Sequence, residues 1–107
     1  MMIIINSKRL ENGRFEFQSM NNVDTYDVRA VYEAVRPVLS QQLNKEELVE
    51  FDAEFEFFKD LDFSELSADN FNLAYQTLIS NPNNDKWLTP ILPDLKNLME
   101  ADPRFKH

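Results

Sequence analysis

The chain has 107 residues, of which 43% are hydrophobic and 28% charged, and its formal net charge is −8. This length allows one compact core and is too short for two, so we expect a single domain over residues 1–107. The absence of cysteine excludes a disulfide framework and thiolate metal sites, and it fits a reducing, cytoplasmic environment. A pI near 4.5 argues against direct binding of nucleic acid, which requires a clustered basic surface.

Signals for export or membrane insertion are not visible in the sequence. Residues 1–5 are apolar but too short for an export signal, and they lack a preceding basic region and a small-residue cleavage site. No later stretch approaches the roughly 20 apolar residues that a membrane-spanning helix needs. We therefore expect a cytoplasmic protein without a membrane partner.

The first twenty residues have the pattern of β structure. Residues 2–5 are apolar and mostly β-branched, and residues 14–18 alternate polar with aromatic side chains. Between them lies Asn12-Gly13, a turn signal because glycine adopts positive φ without steric cost. The pattern predicts a β-hairpin. The alternative is an irregular arm that packs Phe15 and Phe17 on the helices.

Apolar residues with helical spacing follow the hairpin. Asp24 or Thr25 can cap this helix. Its apolar face consists of Val28, Val31, Tyr32, Val35, Val38 and Leu39. Pro37 lies within the pattern and lacks the N–H group that an interior helical residue donates. We expect either a kink near residues 35–36 or two abutting helices.

A second helix is predicted over residues 45–59. Asn44, followed three residues later by Glu47, resembles a capping box. A helical stripe, which we expect to be buried, consists of Leu48, Phe51, Phe55 and Phe58. Residues 49–57 also alternate apolar and acidic side chains as a strand does, but the cap and the helix preference of Glu and Lys favour helix.

The third predicted helix starts at Ser67, which is a suitable N-cap residue. Its apolar stripe consists of Phe71, Ala74, Tyr75, Leu78 and Ile79. The stripe ends at a loop predicted over residues 81–85, because proline and repeated asparagine interrupt the helical pattern there.

The last predicted helix begins at Thr89-Pro90 or near Pro93. It buries Leu95, Leu98 and Met99. We interpret Trp87 as a core anchor for this helix, with an exposed recognition residue as the alternative. The fold class is therefore α+β, mostly α, with an N-terminal β-hairpin or short strands followed by about four helices in a small bundle.

Negative charge is concentrated in one segment. Residues 46–69 contain ten of the nineteen acidic residues and five of the nine phenylalanines, and their only base is Lys59, which gives a net charge of −9. Like charges repel within a Debye length of roughly 8 Å at physiological salt, so a cationic partner would relieve a cost of folding. The alternative is a solvated helix face that keeps a small protein soluble.

The sequence contains few residues suited to catalysis or metal binding. The only histidine, His107, is the last residue, so no His-assisted nucleophile is expected, and a single glycine cannot build a phosphate-binding loop. Residues 60–64 begin like an EF-hand loop, but Glu65 replaces the required glycine and Phe71 the bidentate glutamate. We expect no enzyme activity, no cofactor and no metal site.

A small, acidic, cysteine-free and glycine-poor chain with an aromatic-acidic helix resembles bacterial toxin-immunity proteins, particularly the immunity partners of contact-dependent growth inhibition toxins. The resemblance rests on overall size, on the Ile3-Ile4-Ile5 start and on residues 44–69, about a quarter of the chain. It implies a cytoplasmic protein that binds the C-terminal toxin domain of a larger effector, often a basic nuclease, and blocks its active site or substrate surface. These immunity proteins share no diagnostic motif, so the resemblance assigns no site residue.

The charge distribution agrees with binding to a basic nuclease, because a nuclease active face is positive in order to hold phosphates. We predict a partner-binding surface formed by Glu50, Glu54, Phe57, Asp60, Asp62 and Phe63, in which the two aromatic residues supply desolvated anchors. Two other functions remain open: an acidic DNA mimic that blocks nucleic-acid enzymes generally, and a general acidic protein-interaction domain. The oligomeric state does not follow from the sequence.

Overall fold

The chain forms a small sheet and a set of helices, seen in a computed structural model that describes residues 1–80, 86 and 88–107. The predicted loop at 81–85 and Trp87 lie outside the described residues. The fold is α+β and mostly α, as predicted. Its elements are β1 (Ile3–Arg9), β2 (Phe15–Met20), α1 (Thr25–Leu39), α2 (Lys45–Phe58), β3 (Leu61–Asp62), α3 (Ala68–Ile79) and α4 (Leu92–Glu100).

The predicted hairpin is present, since β1 and β2 pair antiparallel. Gly13 has a φ of +82°, and its N–H group donates to the carbonyl of Leu10 at 3.0 Å to close the turn. Phe15 and Phe17 are not packed in the helical core. Both are more than half exposed, and their rings stack on each other with centroids 6.3 Å apart.

A third strand, which the sequence pattern does not predict, completes the sheet in the order β2-β1-β3. It has only two residues and pairs parallel with Ile3 and Ile4 of β1. Because side chains alternate along a strand, Leu61 and Phe63 are fully buried while Asp62 stays partly exposed. The prediction that Phe63 belongs to the partner-binding surface is therefore wrong, and its ring is part of the core.

The helix starts follow the predicted caps. Asp24 and Ser67 each accept a hydrogen bond from a backbone N–H group in the first turn of α1 and α3. Asn44 and Glu47 form a complete capping box, with N–H to side-chain distances of 2.8 and 3.0 Å. Residues 49–57 are helical, which resolves the choice between helix and strand. None of the described helices has the length and apolar composition that a membrane crossing requires.

Pro37 does not divide α1, so the alternative of two abutting helices is wrong. The proline lies in the last turn, where the missing N–H group interrupts the backbone hydrogen bonding only near the helix end. Ser40 then closes the helix by donating its N–H group to the carbonyl of Arg36 at 2.9 Å.

The core lies mainly between the inner face of β1 and the apolar stripes of α1 and α3. Its largest fully buried side chains include Ile3, Ile5, Leu39, Phe63, Phe71, Leu78, Leu95 and Met99. In α2 only Phe51 is buried, and Phe58 is 64% exposed, so the prediction that Phe58 belongs to a buried stripe is wrong. The last turn of α2 extends past the core, because the chain turns back into β3 at Lys59 in a left-handed conformation.

The C-terminal residues join the sheet to α3 through Arg104. The guanidinium makes five hydrogen bonds of 2.7 to 3.0 Å, as many as it has N–H groups, and these go to Asp102, Ile5, Phe63 and Leu66. Its carbon lies 4.1 Å from the centroid of the Phe71 ring. One side chain therefore ties β1, the segment after β3 and α3 together.

We predict that Leu78→Ala lowers the free energy of unfolding by about 2 to 5 kcal/mol, because the truncated side chain leaves a cavity in a well-packed region. Leu78 is fully buried in α3, whereas the next residue, Ile79, is exposed. Urea denaturation should therefore show a clearly smaller loss for Ile79→Ala. Equal losses for the two variants would mean that the two faces of α3 are not distinguished by burial.

Candidate partner-binding groove

A groove of about 410 Å³ runs between α2 and the segment that connects β3 to α3. Its walls and floor are formed by Leu43, Glu47, Glu50, Phe51, Ala53, Glu54, Asp62, Glu65 and Leu66. We call this feature the acidic groove. Phe51 and Leu66 are buried, so the bottom of the groove is apolar, whereas the carboxylates stand along its sides.

Two walls carry the five carboxylates of the acidic groove. Glu47, Glu50 and Glu54 are spaced three and four residues apart on α2, which places them on one face of the helix. Asp62 and Glu65 stand on the opposite wall. No basic residue is among those that line the groove within the described part of the chain.

The carboxylates repel one another across the groove. Partial burial, followed by the charges of Asp62 and Asp60, raises the pKa of Glu54 above its usual value of 4.5. Lys59 does not neutralise this charge from the groove. Its ammonium group lies 5.2 Å from the centroid of the Phe55 ring and donates to the carbonyl of Glu56 at 3.2 Å, at the end of the helix.

One acid of α2 is neutralised inside the fold and does not contribute to the groove. Asp52 accepts hydrogen bonds from the Tyr32 hydroxyl at 2.6 Å and from Arg36 Nη2 and Nε at 2.9 and 3.3 Å. The hydrogen bond from Arg36 lowers the pKa of Asp52 despite partial burial. This bridge joins α1 to α2, so it holds the helix whose other acids line the groove.

Three of the six predicted partner-binding residues, Glu50, Glu54 and Asp62, line the acidic groove together. Asp60 lies next to it, close enough to raise the pKa of Glu54, and its Oδ1 accepts from the Met2 N–H group at 2.8 Å. The fourth carboxylate is therefore partly committed to holding the start of β1.

The two predicted aromatic anchors have different positions. Phe57 is 77% exposed, and its spacing of seven residues from Glu50 places it on the groove side of α2, beyond the last carboxylate. Phe63 is buried, and its ring stacks on Phe51 with centroids 6.1 Å apart. Phe63 therefore supports the floor of the groove from below, and the exposed Phe58 is the second aromatic residue at the end of α2.

Sequence reasoning missed two of the five groove carboxylates, Glu47 and Glu65. Glu47 belongs to the capping box, and its spacing with Glu50 and Glu54 also indicates a shared helix face. Glu65 has no such signal, because its place opposite α2 depends on the turn after β3. Among the described residues, no group of three or more acidic or histidine side chains has an arrangement that could hold a metal ion.

Comparisons with known proteins add no assignment: no family model, curated protein or solved structure matches the chain.

We predict that Glu54→Gln stabilises the protein at pH 7 by up to about 0.5 kcal/mol, because it removes one of several repelling charges. The raised pKa makes protonated Glu54 more favourable in the folded than in the unfolded state. The stabilisation that protonation of Glu54 gives the folded state is fully present below pH 4.5, and it is lost as pH rises through the pKa of Glu54 in the folded state. The advantage of the variant in urea denaturation should therefore vanish at acidic pH.

The matched control is Glu56→Gln, which removes the same charge from an exposed position of α2 outside the groove. A gain at pH 7 as large as that of Glu54→Gln would show that repulsion is not concentrated in the acidic groove.

Proposed function

We propose that this chain is a non-catalytic immunity protein that binds and neutralises a cognate basic toxin domain through the acidic groove. The observation that supports the proposal is the convergence of five carboxylates on one groove with an apolar floor and no lining base among the described residues. A cationic surface of a partner would replace repulsion by attraction at each of these carboxylates.

The form of the groove suits long basic side chains. Lysine and arginine carry an aliphatic stem and a charged head, so the stem can contact Phe51 and Leu66 while the head reaches the carboxylates. Arginine can also bind a carboxylate through two parallel hydrogen bonds. Such contacts are typical of a basic protein partner.

Exposed aromatic residues next to the charged groove add to this argument. Phe57 and Phe58 extend the groove side of α2 at its C-terminal end, and both are mostly exposed. Large aromatic residues provide much of the binding energy at protein interfaces, whereas peripheral charges mainly affect association rate. Together they fit recognition of one partner with both a basic and an apolar contact region.

A cytoplasmic location and a nuclease target complete the proposal. The active face of a nuclease is positive because it holds phosphates, so an acidic protein can cover it and exclude the substrate. The competing reading as a DNA mimic requires carboxylates spaced along an extended surface. The carboxylates of the acidic groove instead converge on one cavity, which favours a single cognate partner.

Growth protection tests the proposal directly. The toxin domain would be the C-terminal part of the protein encoded immediately upstream, expressed alone or together with this chain. Arrest by the domain alone and growth upon co-expression are expected. Absence of protection would contradict the proposal, and equal inhibition of several unrelated basic nucleases would support a DNA mimic instead.

We predict that neutralising the groove weakens toxin binding without unfolding the protein. The variant combines E50Q, E54Q, D62N and E65Q, which preserve side-chain size. Loss of a carboxylate that pairs with a desolvated cation should reduce the binding free energy by roughly 2 to 5 kcal/mol. Loss of the other carboxylates should slow association and reduce its dependence on salt. Titration calorimetry at two salt concentrations measures both effects.

The control for this variant has the same net charge but an intact groove. It carries four changes at exposed acidic positions elsewhere, namely E11Q, E16Q, E33Q and D94N. Its affinity should stay close to that of the unmodified chain. If both variants bind equally well, or lose affinity equally, the acidic groove is not the binding site.

We predict that Phe57→Ala lowers toxin affinity by about 2 kcal/mol or more, as expected for an aromatic residue buried at an interface. Its effect on unfolding in urea should stay within about 0.5 kcal/mol, because the side chain is exposed in the free protein. Phe15→Ala is the control, since Phe15 is also exposed but lies on the hairpin. A loss of affinity for Phe15→Ala alone would place the partner on the hairpin.

A further inference from the structure

The wall of the acidic groove opposite α2 is not a regular element. It is a tight turn over residues 62–66, in which the N–H group of Leu66 donates to the carbonyl of Phe63 at 3.2 Å. Asp62 accepts from the N–H group of Ser64 at 2.8 Å and from its hydroxyl. These contacts shape the turn internally, but they do not determine its distance from α2.

Arg104 holds this turn from the side away from the groove. Its Nη1 donates to the carbonyls of Phe63 and Leu66 at 2.8 and 2.9 Å, so one nitrogen bridges both ends of the turn. Its Nη2 donates to the carbonyl of Ile5 at 2.7 Å, which ties the same guanidinium to the central strand β1. The turn therefore has a fixed position relative to the sheet.

The carboxylate of Asp102 fixes the orientation of the Arg104 guanidinium. The two side chains form a bidentate ion pair of 2.8 and 3.0 Å, and the Asp102 side chain is only 1% exposed. Burial alone would raise the pKa of Asp102, but the hydrogen bonds and charge of Arg104 outweigh it and lower the pKa. The carboxylate thus stays ionised and keeps the guanidinium plane aimed at the carbonyls of the turn.

We infer that Arg104 is a positioning residue for the acidic groove, which sets the distance between the carboxylates of Asp62 and Glu65 and those of α2. This inference rests on the proposed function, because the spacing determines the affinity for a cationic partner only if such a partner binds in the groove. Arg104 itself does not line the groove. It acts through the backbone carbonyls of Phe63 and Leu66.

The variant that tests this role is Arg104→Lys. Lysine keeps the positive charge beside Asp102, but a single ammonium group cannot reproduce the planar fork that reaches three carbonyls and a carboxylate at once. Asp102→Asn is a milder second variant, because the amide keeps an oxygen acceptor but removes the charge that aligns the guanidinium. It provides the test if Arg104→Lys does not fold.

The first measurement needs no partner. The pKa of Glu54, followed by NMR, reports the approach of the opposite wall, because burial raises it and the charges of Asp62 and Asp60 raise it further. The Arg104→Lys change does not remove any of the other groove carboxylates, which are Glu47, Glu50 and Glu65. In Arg104→Lys the pKa of Glu54 should fall toward its usual value. Leu78→Ala, which loosens the core elsewhere, should leave it unchanged and so controls for general destabilisation.

The second measurement uses hexalysine as the cationic probe. In the unmodified chain, Glu65→Gln and Glu47→Gln should each weaken hexalysine binding. In the Arg104→Lys background the effect of Glu65→Gln should shrink, because that wall is no longer held in place. The effect of Glu47→Gln, which lies on α2, should remain the same.

The outcomes separate this inference from the proposed function. An unchanged pKa of Glu54 together with an unchanged effect of Glu65→Gln would overturn the positioning role of Arg104. A shifted pKa with no hexalysine binding to the unmodified chain would support the positioning role and contradict the proposed use of the groove.

Discussion

Electrostatic repulsion within residues 46–69 is the constraint on which the rest of this structure depends. The segment has ten acidic residues and one basic residue, yet in its helix α2 only Phe51 is buried and only Phe55 packs against the core as a partly buried residue. The helix α2 therefore has few buried apolar side chains to offset the repulsion. The fold compensates by neutralising one acid internally and by fixing the walls of the groove through hydrogen bonds that lie outside it.

Two polar anchors hold the two walls. On the α2 side, Asp52 is bound by Tyr32 and Arg36 of α1. On the opposite side, Arg104 is bound to Asp102 and to backbone carbonyls. The pair of Arg104 with Asp102 is the buried one, and removing one partner of a buried ion pair is costly because the other charge is left unpaired. Both anchors thus restrict the groove to one geometry.

The features that could be predicted from sequence depend on neighbouring residues. The capping box at Asn44, the turn at Gly13 and the stripe of α3 follow local rules of spacing and backbone preference. Burial of Phe63 could not be predicted, because it depends on a two-residue strand that pairs with β1. The hydrogen bond from Arg104 to Ile5 spans 99 residues, and no local pattern indicates such a contact.

The acidic groove places function and stability in opposition. Carboxylates that are partly buried and held close together raise the energy of the free protein, and burial, followed by the charges of Asp62 and Asp60, raises the pKa of Glu54 accordingly. A cationic partner finds the same carboxylates already in position, so binding does not require them to be ordered. Natural proteins tolerate such local destabilisation where a site needs it. On the proposed function, the repulsion retained in the free protein is therefore part of the affinity for the partner.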